Sequence, residues 1–223
     1  MRPHLPFVAA LAAAAALTTG CGSGDDWSRP HPEPVAVGTL GPEFVDRASP
    51  PAPEATITPR PGSWSEVHPS EDYRVVLLTA GDDRPTKALV KAVDDWADDE
   101  GVAIRTVVAD SPADYIPSVV EAMEMTPDLI VTAGNDLIDP LATVTPNHLD
   151  QPFLVVGAEL AEPTHNVTAV DWPGASFRGE GLGMSSTYDA TSFTEARCAA
   201  AVRAGVAAVL NDLTGIVVRL DGH

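Results

Sequence analysis

Cysteine is almost absent from this chain: its 223 residues hold only Cys21 and Cys198. Two thiols cannot build a disulfide framework. Joining them would only tie the amino-terminal tail to the alanine-rich run "EARCAAAVRAGVAAVL", where Cys198 is expected as a small buried hydrophobe. Basic residues are also scarce, 13 Lys and Arg against 32 Asp and Glu, for a formal charge of −19. A field of that sign repels phosphate backbones and anionic lipid headgroups, which argues against nucleic-acid binding and against electrostatic attachment to a membrane surface. Catalytic signatures are missing too. There is no G-x-S-x-G elbow, H-E-x-x-H pair, phosphate-binding P-loop or dinucleotide glycine pattern. Asp136, Asp139, His148 and Asp150 follow no known ligand spacing, and "GMSSTYDATS" has hydroxyls without a basic neighbour and is expected as a flexible polar loop. The expectation is a protein that is not an enzyme and uses neither metal nor cofactor. No internal repeat is visible.

The amino terminus carries an address. Arg2 precedes an apolar run, Phe7 to Leu17, that is too short to span a bilayer as a mature helix and suits an export signal. The following "LTTGC" resembles a bacterial lipobox, with Gly20 directly before Cys21, although Thr18 stands where that pattern prefers Leu. The resemblance implies a signal peptide over residues 1–20 and lipid attachment at Cys21, on the extracytoplasmic face of the cell membrane. The competing reading is an ordinary signal peptide cut nearby. Residues 21–70 are rich in Pro, Ser, Gly and charge and show no sustained period, which predicts a disordered linker, with His31 and His68 solvated.

From Glu71 onward strands and helices alternate. "YRVVLLTA" (73–80), "VAIRTVVA" (102–109), "DLIVTAG" (128–134), "FLVVGA" (153–158) and "VTAVDW" (167–172) are near-continuous apolar runs, as for strands covered on both faces. The helix after the first places Ala88, Leu89, Ala92, Val93 and Trp96 on one stripe and ends at Gly101. Another should open with Ser111 as N-cap, Pro112 in its first turn and Asp114 completing a capping box, with Ile116, Val119, Val120 and Met123 facing inward. Thr194 caps a last helix, and "GIVVRL" (215–220) is expected as an edge strand. Such alternation requires parallel neighbours and right-handed crossovers. The fold class is therefore α/β, a three-layer sandwich with a mainly parallel sheet, over residues 71–223.

Ligands in such sheets sit beyond the carboxyl ends of the strands, where strand order reverses. The loop "GDDRPT" after the first strand has one glycine and two aspartates, so it is not a phosphate loop. Either Asp82 or Asp83 caps the following helix, or one of them accepts hydrogen bonds from a neutral or cationic ligand.

"VVLLTAGDDRPTKALVKAV", "PADYIPSVVEAMEMTPDLIVTAGNDLIDPL", "QPFLVVGAEL" and "HNVTAVDWPGASFRGEGLG" together resemble the first lobe of the basic membrane protein family, substrate-binding lipoproteins of ABC transporters with a type 1 periplasmic-binding-protein fold. The order and spacing of these segments carry the resemblance. It implies a site at Asp82, Asp83, Asn135, Asp136 and Phe177 for a small polar ligand, a nucleoside being one candidate. It also implies an ABC permease as partner. Those receptors close two lobes on their ligand, and this chain is far shorter, so one lobe is expected, alone or facing a second copy in a homodimer. Arg84-Pro85 replaces the aromatic and asparagine that often follow the acidic residue in that family. The other functional class is a one-lobe scaffold that binds a cell-envelope protein; an exposed apolar patch around Phe177, Leu182 and Met184 would point to a homodimer or to such a partner.

Overall fold

In the computed structural model, residues 27–221 are described; Cys21 and the signal segment lie outside them. The chain forms β1 (Ala36–Val37), β2 (Thr56–Ile57), β3 (His68–Pro69), β4 (Arg74–Ala80), α1 (Arg84–Glu100), β5 (Ala103–Ala109), α2 (Tyr115–Glu124), β6 (Leu129–Ala133), α3 (Ile138–Val144), β7 (Phe153–Val156), β8 (Val167–Asp171), α4 (Glu195–Val209) and β9 (Val217–Arg219). Seven strands make one sheet in the order β2-β9-β8-β7-β6-β4-β5, every adjacent pair parallel, while β1 and β3 pair antiparallel outside it.

Two apolar layers cover the sheet. Leu77, Val131, Leu154 and Val170 meet α1 and α4 through Leu89, Val93, Trp96, Val202 and Val206. Val76, Leu78, Ile130 and Phe153 meet the α2 and α3 side through Val119, Ala122, Ile138 and Leu141. The expected α/β three-layer architecture is the observed one. Gly205 lets α4 sit close to the strands, since a Cβ there would come within 2.5 Å of Leu154 and 2.8 Å of Val170.

Several local expectations are corrected. The segment through Ser70 is not a linker over its described part, residues 27–70. Trp27, Leu40, Phe44 and Trp64 are buried, β2 joins the sheet, and the Arg74 guanidinium donates to the carbonyls of Trp27 and Arg29. His31 and His68 are not free in solvent: His31 pairs with Asp128 at 2.7 Å and His68 with Glu100 at 2.8 Å. Because β2 lies outside β9, β9 is not the edge strand. The second helix starts at Tyr115 rather than after Ser111. Ser111 to Asp114 forms a turn, its carbonyl accepting from the Asp114 N–H and its hydroxyl bonding the Asp114 carboxylate at 2.6 Å, so the helix buries Ser118, Val119 and Ala122 and leaves Ile116 45% and Val120 38% exposed.

Candidate functional site

After β4 the chain crosses to β5 on one side and then returns to place β6 on the other, so strand order reverses at β4. The carboxyl ends of β4 and β6 therefore open a crevice between diverging crossovers. Gly134 closes its floor at φ 119°, and a Cβ there would stand 2.3 Å from the Ala80 carbonyl oxygen. Gly134→Ala is expected to cost about 1–3 kcal/mol in backbone strain and displacement, and to move Asn135 and Asp136 with it; denaturant unfolding and the site's ligand response check both effects.

A cavity of about 50 Å³ sits in this crevice, bounded by Asp83, Asn135, Asp136, Tyr188 and Phe193, and none of its lining residues is basic. Three of the five expected ligand-contact residues thus converge. Asp82 does not: its side chain is fully exposed, 3.9 Å from Lys87 Nζ. Phe177 packs instead against the core on the α2 and α3 side, and its carbonyl accepts from the Glu159 N–H at 2.9 Å.

Asp83 is the helix cap. Its Oδ1 accepts from the Thr86 N–H at 3.0 Å and its Oδ2 from the Thr86 hydroxyl at 2.9 Å. Asp83→Ala should cost about 1 kcal/mol of stability, read as a lower urea midpoint at unchanged slope. The Tyr115 hydroxyl donates to Asp136 Oδ2 at 3.0 Å, which orients that carboxylate from α2. Phe193 stacks edge-on against Trp172 at 5.0 Å and meets Tyr188 at 6.0 Å, so the aromatic wall is anchored in the core. Among the described residues no group of three or more His, Cys, Asp and Glu could hold a metal ion, and no helix is long and apolar enough to cross a membrane.

A second polar cluster, which the sequence reading did not single out, lies at the ends of β7, β8 and β9. Asp171 is fully buried and receives Arg219 at 2.9 Å; Arg178 faces the buried Glu159 at 3.4 Å. Burial pushes the Asp171 carboxyl up to about 7 against the pull of Arg219, with Glu159 and Asp221 adding to the rise. The signal was present: "VTAVDW" and "GIVVRL" each carry one charge inside an apolar strand, of opposite sign, and these two residues are cross-strand partners. The expected flexible loop at 183–192 is fastened beside this cluster, Ser186 bonding Ser176 and Gly174, and Arg219 donating to Ser185 at 2.9 Å.

A wider groove of about 960 Å³ runs along residues 39–58 beside β2. It contains none of the expected site residues and lies at the opposite sheet edge from β4 and β5.

No protein-family model matches this chain, and no curated protein matches it. Among solved structures it is similar to an ABC transporter solute-binding protein from Aeropyrum pernix K1, with 22% identity and a TM-score of 0.41 over 46% of this chain and 29% of that one. A solute-binding protein of an ABC transporter system from Conexibacter woesei DSM 14684 aligns at 19% identity and a TM-score of 0.37, over 45% of this chain and 35% of that one. An ABC domain from Streptococcus pneumonia, solved with L-Trp, aligns at 18% identity and a TM-score of 0.38 over 47% and 40%. The chain spans less than half the length of each of these three. The α/β class rests on this chain's own strand order.

Proposed function

We propose that this protein is an extracytoplasmic solute-binding-like lipoprotein, anchored through Cys21, that binds a small polar ligand rather than catalysing a reaction. The observation that carries the reading is the convergence of Asp83, Asn135 and Asp136 around one cavity at the point where strand order reverses. The resemblance in sequence to basic membrane proteins makes a nucleoside the first ligand to test and an ABC permease the first partner. The described residues supply one wall of such a site, and a second lobe or a second copy of the chain would supply the other.

A thermal-shift panel of nucleosides, sugars and amino acids on the full chain tests this. A true ligand at about 100 times its Kd should add about 2.7 kcal/mol of stability, and Asn135→Ala should remove the response. No response from a cooperatively melting protein would sink the reading. One observation favours the other class, a scaffold for a cell-envelope protein: at about 50 Å³ the cavity is far smaller than the roughly 300 Å³ at which small-molecule pockets begin.

A further inference from the structure

The pocket at the ends of β4 and β6 is lined in part by Tyr188, whose segment is held in place from elsewhere in the molecule. Three residues earlier, the Ser185 hydroxyl accepts from Arg219 Nη1 at 2.9 Å, and the same nitrogen is 2.9 Å from Asp171 Oδ2. The amides of the segment close onto the preceding turn, Ser186 N–H donating to Ser176 Oγ at 2.9 Å and Asp189 N–H to the Gly174 carbonyl at 2.9 Å. On its other flank, Gly181 has a positive φ of 76° and nothing within 4 Å of its missing side chain, a point at which the backbone can pivot. Leu182 and Met184 stand exposed between the pivot and the tether.

We propose that residues 181–189 form a lid over the strand-end pocket, latched by Ser185, Arg219 and Asp171, and that uptake of a proton by Asp171 opens it. The proposal rests on reading that pocket as a binding site, and accounts for its small volume as the latched state.

The groups facing Asp171 make the latch responsive. Arg219 on β9 opposes ionisation's cost, while Glu159 beyond β7 and Asp221 after β9 add negative charge; Ser185 reaches it from the lid. Asp171 Oδ1 has no hydrogen-bond partner, so burial of that oxygen is uncompensated, whereas Glu159 Oε1 faces the Arg178 guanidinium at 3.4 Å. Burial likewise raises Glu159, opposed by Arg178 and Arg219. The proton comes from solvent and goes to the Asp171 carboxylate. Arg219 keeps its charge, and Asp221, already 3.4 Å from its Nε, is the counter-ion to which it turns, drawing the guanidinium away from Ser185. With Asp171 placing its midpoint at about 7, the latch would switch across the neutral range.

Amide exchange at Ser186 and Asp189 in the full chain, without ligand and corrected for the intrinsic pH dependence, tests the lid. Protection in the wild type should fall at least about tenfold between about pH 8 and about pH 6. Ser185→Ala, a surface change that spares the core, and Asp171→Asn should each exchange fast at both pH values. Equal wild-type protection at the two pH values, or unchanged protection in Ser185→Ala, overturns the proposal. Since no ligand is present, a lid that stays shut leaves a thermal-shift response intact, whereas a lid that opens beside a pocket that binds nothing sinks only the binding reading.

Discussion

Phe44→Ala and Trp64→Ala are each expected to lower the unfolding free energy by about 3–5 kcal/mol, the range for deleting a large aromatic from a packed core. Phe44 is 2% and Trp64 5% exposed, and their rings meet edge to face at 6.2 Å within the same apolar cluster as Tyr73, Trp96 and the strands. A site in a solvated linker would change stability by no more than about 0.5 kcal/mol. Urea unfolding of the full chain therefore discriminates the two descriptions of residues 27–70 by a wide margin. A single cooperative transition shifted to lower urea in both variants is the expected record. Loss of a few tenths of a kcal/mol would show that this segment does not belong to the fold.

That segment was the hardest part of the fold to read. Its prolines and its lack of period were real, but they describe a chain that wraps rather than one that is free. Irregular wrapping leaves no repeat of 2 or 3.6, because each buried residue is placed by a different neighbour: Leu40 and Phe44 by the α1 and α4 layer, Trp27 by the opposite one. His31 and Arg74 then fasten the wrap through Asp128 and backbone carbonyls, contacts across 97 and 47 residues of sequence that no local pattern encodes. The central strands were legible for the converse reason. Val75 to Leu78 are buried on both faces, and a run buried on both faces has no polar alternation to obscure it. The second helix shows the limit of capping signals: Ser111 and Asp114 do bond each other, but they close a turn, and the helix begins one residue later with its apolar stripe rotated.

The candidate site was legible by topology and only partly by residue type. Strand order predicts which loops converge, and Asp83, Asn135 and Asp136 lie on two of them. Which of Asp82 and Asp83 faces inward depends on which one can reach the Thr86 N–H, a matter of backbone dihedrals that the sequence leaves open. Tyr188 was hidden inside a polar run because its position comes from a hydroxyl network around Ser176 and Ser186 and from aromatic contact with Phe193.

Arg219→Met is expected to cost about 1.4 kcal/mol at about pH 8, because Asp171, left without its cation, must stay protonated, and each pH unit above a folded-state value of about 7 is worth about 1.4 kcal/mol. Asp171 is fully buried, so solvent cannot take over that pairing. The loss should shrink with acid, and the sign follows from linkage. In the wild type the folded-state value of Asp171 is raised to about 7 from 3.8, so the folded protein holds more protons than the unfolded chain across that window. The corresponding stability is full below the unfolded value and is lost as pH rises through the folded one. Removing Arg219 removes the influence that lowers the folded value, so the variant's penalty extends to higher pH and the gap to wild type widens upward. Adding Asp171→Asn to Arg219→Met should recover much of the loss at about pH 8, because an amide needs no counter-ion, and the double-mutant cycle then isolates the pair. Urea unfolding at about pH 8 and about pH 5 supplies all the terms. A penalty equal at both pH values, with no recovery in the double variant, would mean that Arg219 contributes by packing its stem and not by compensating Asp171.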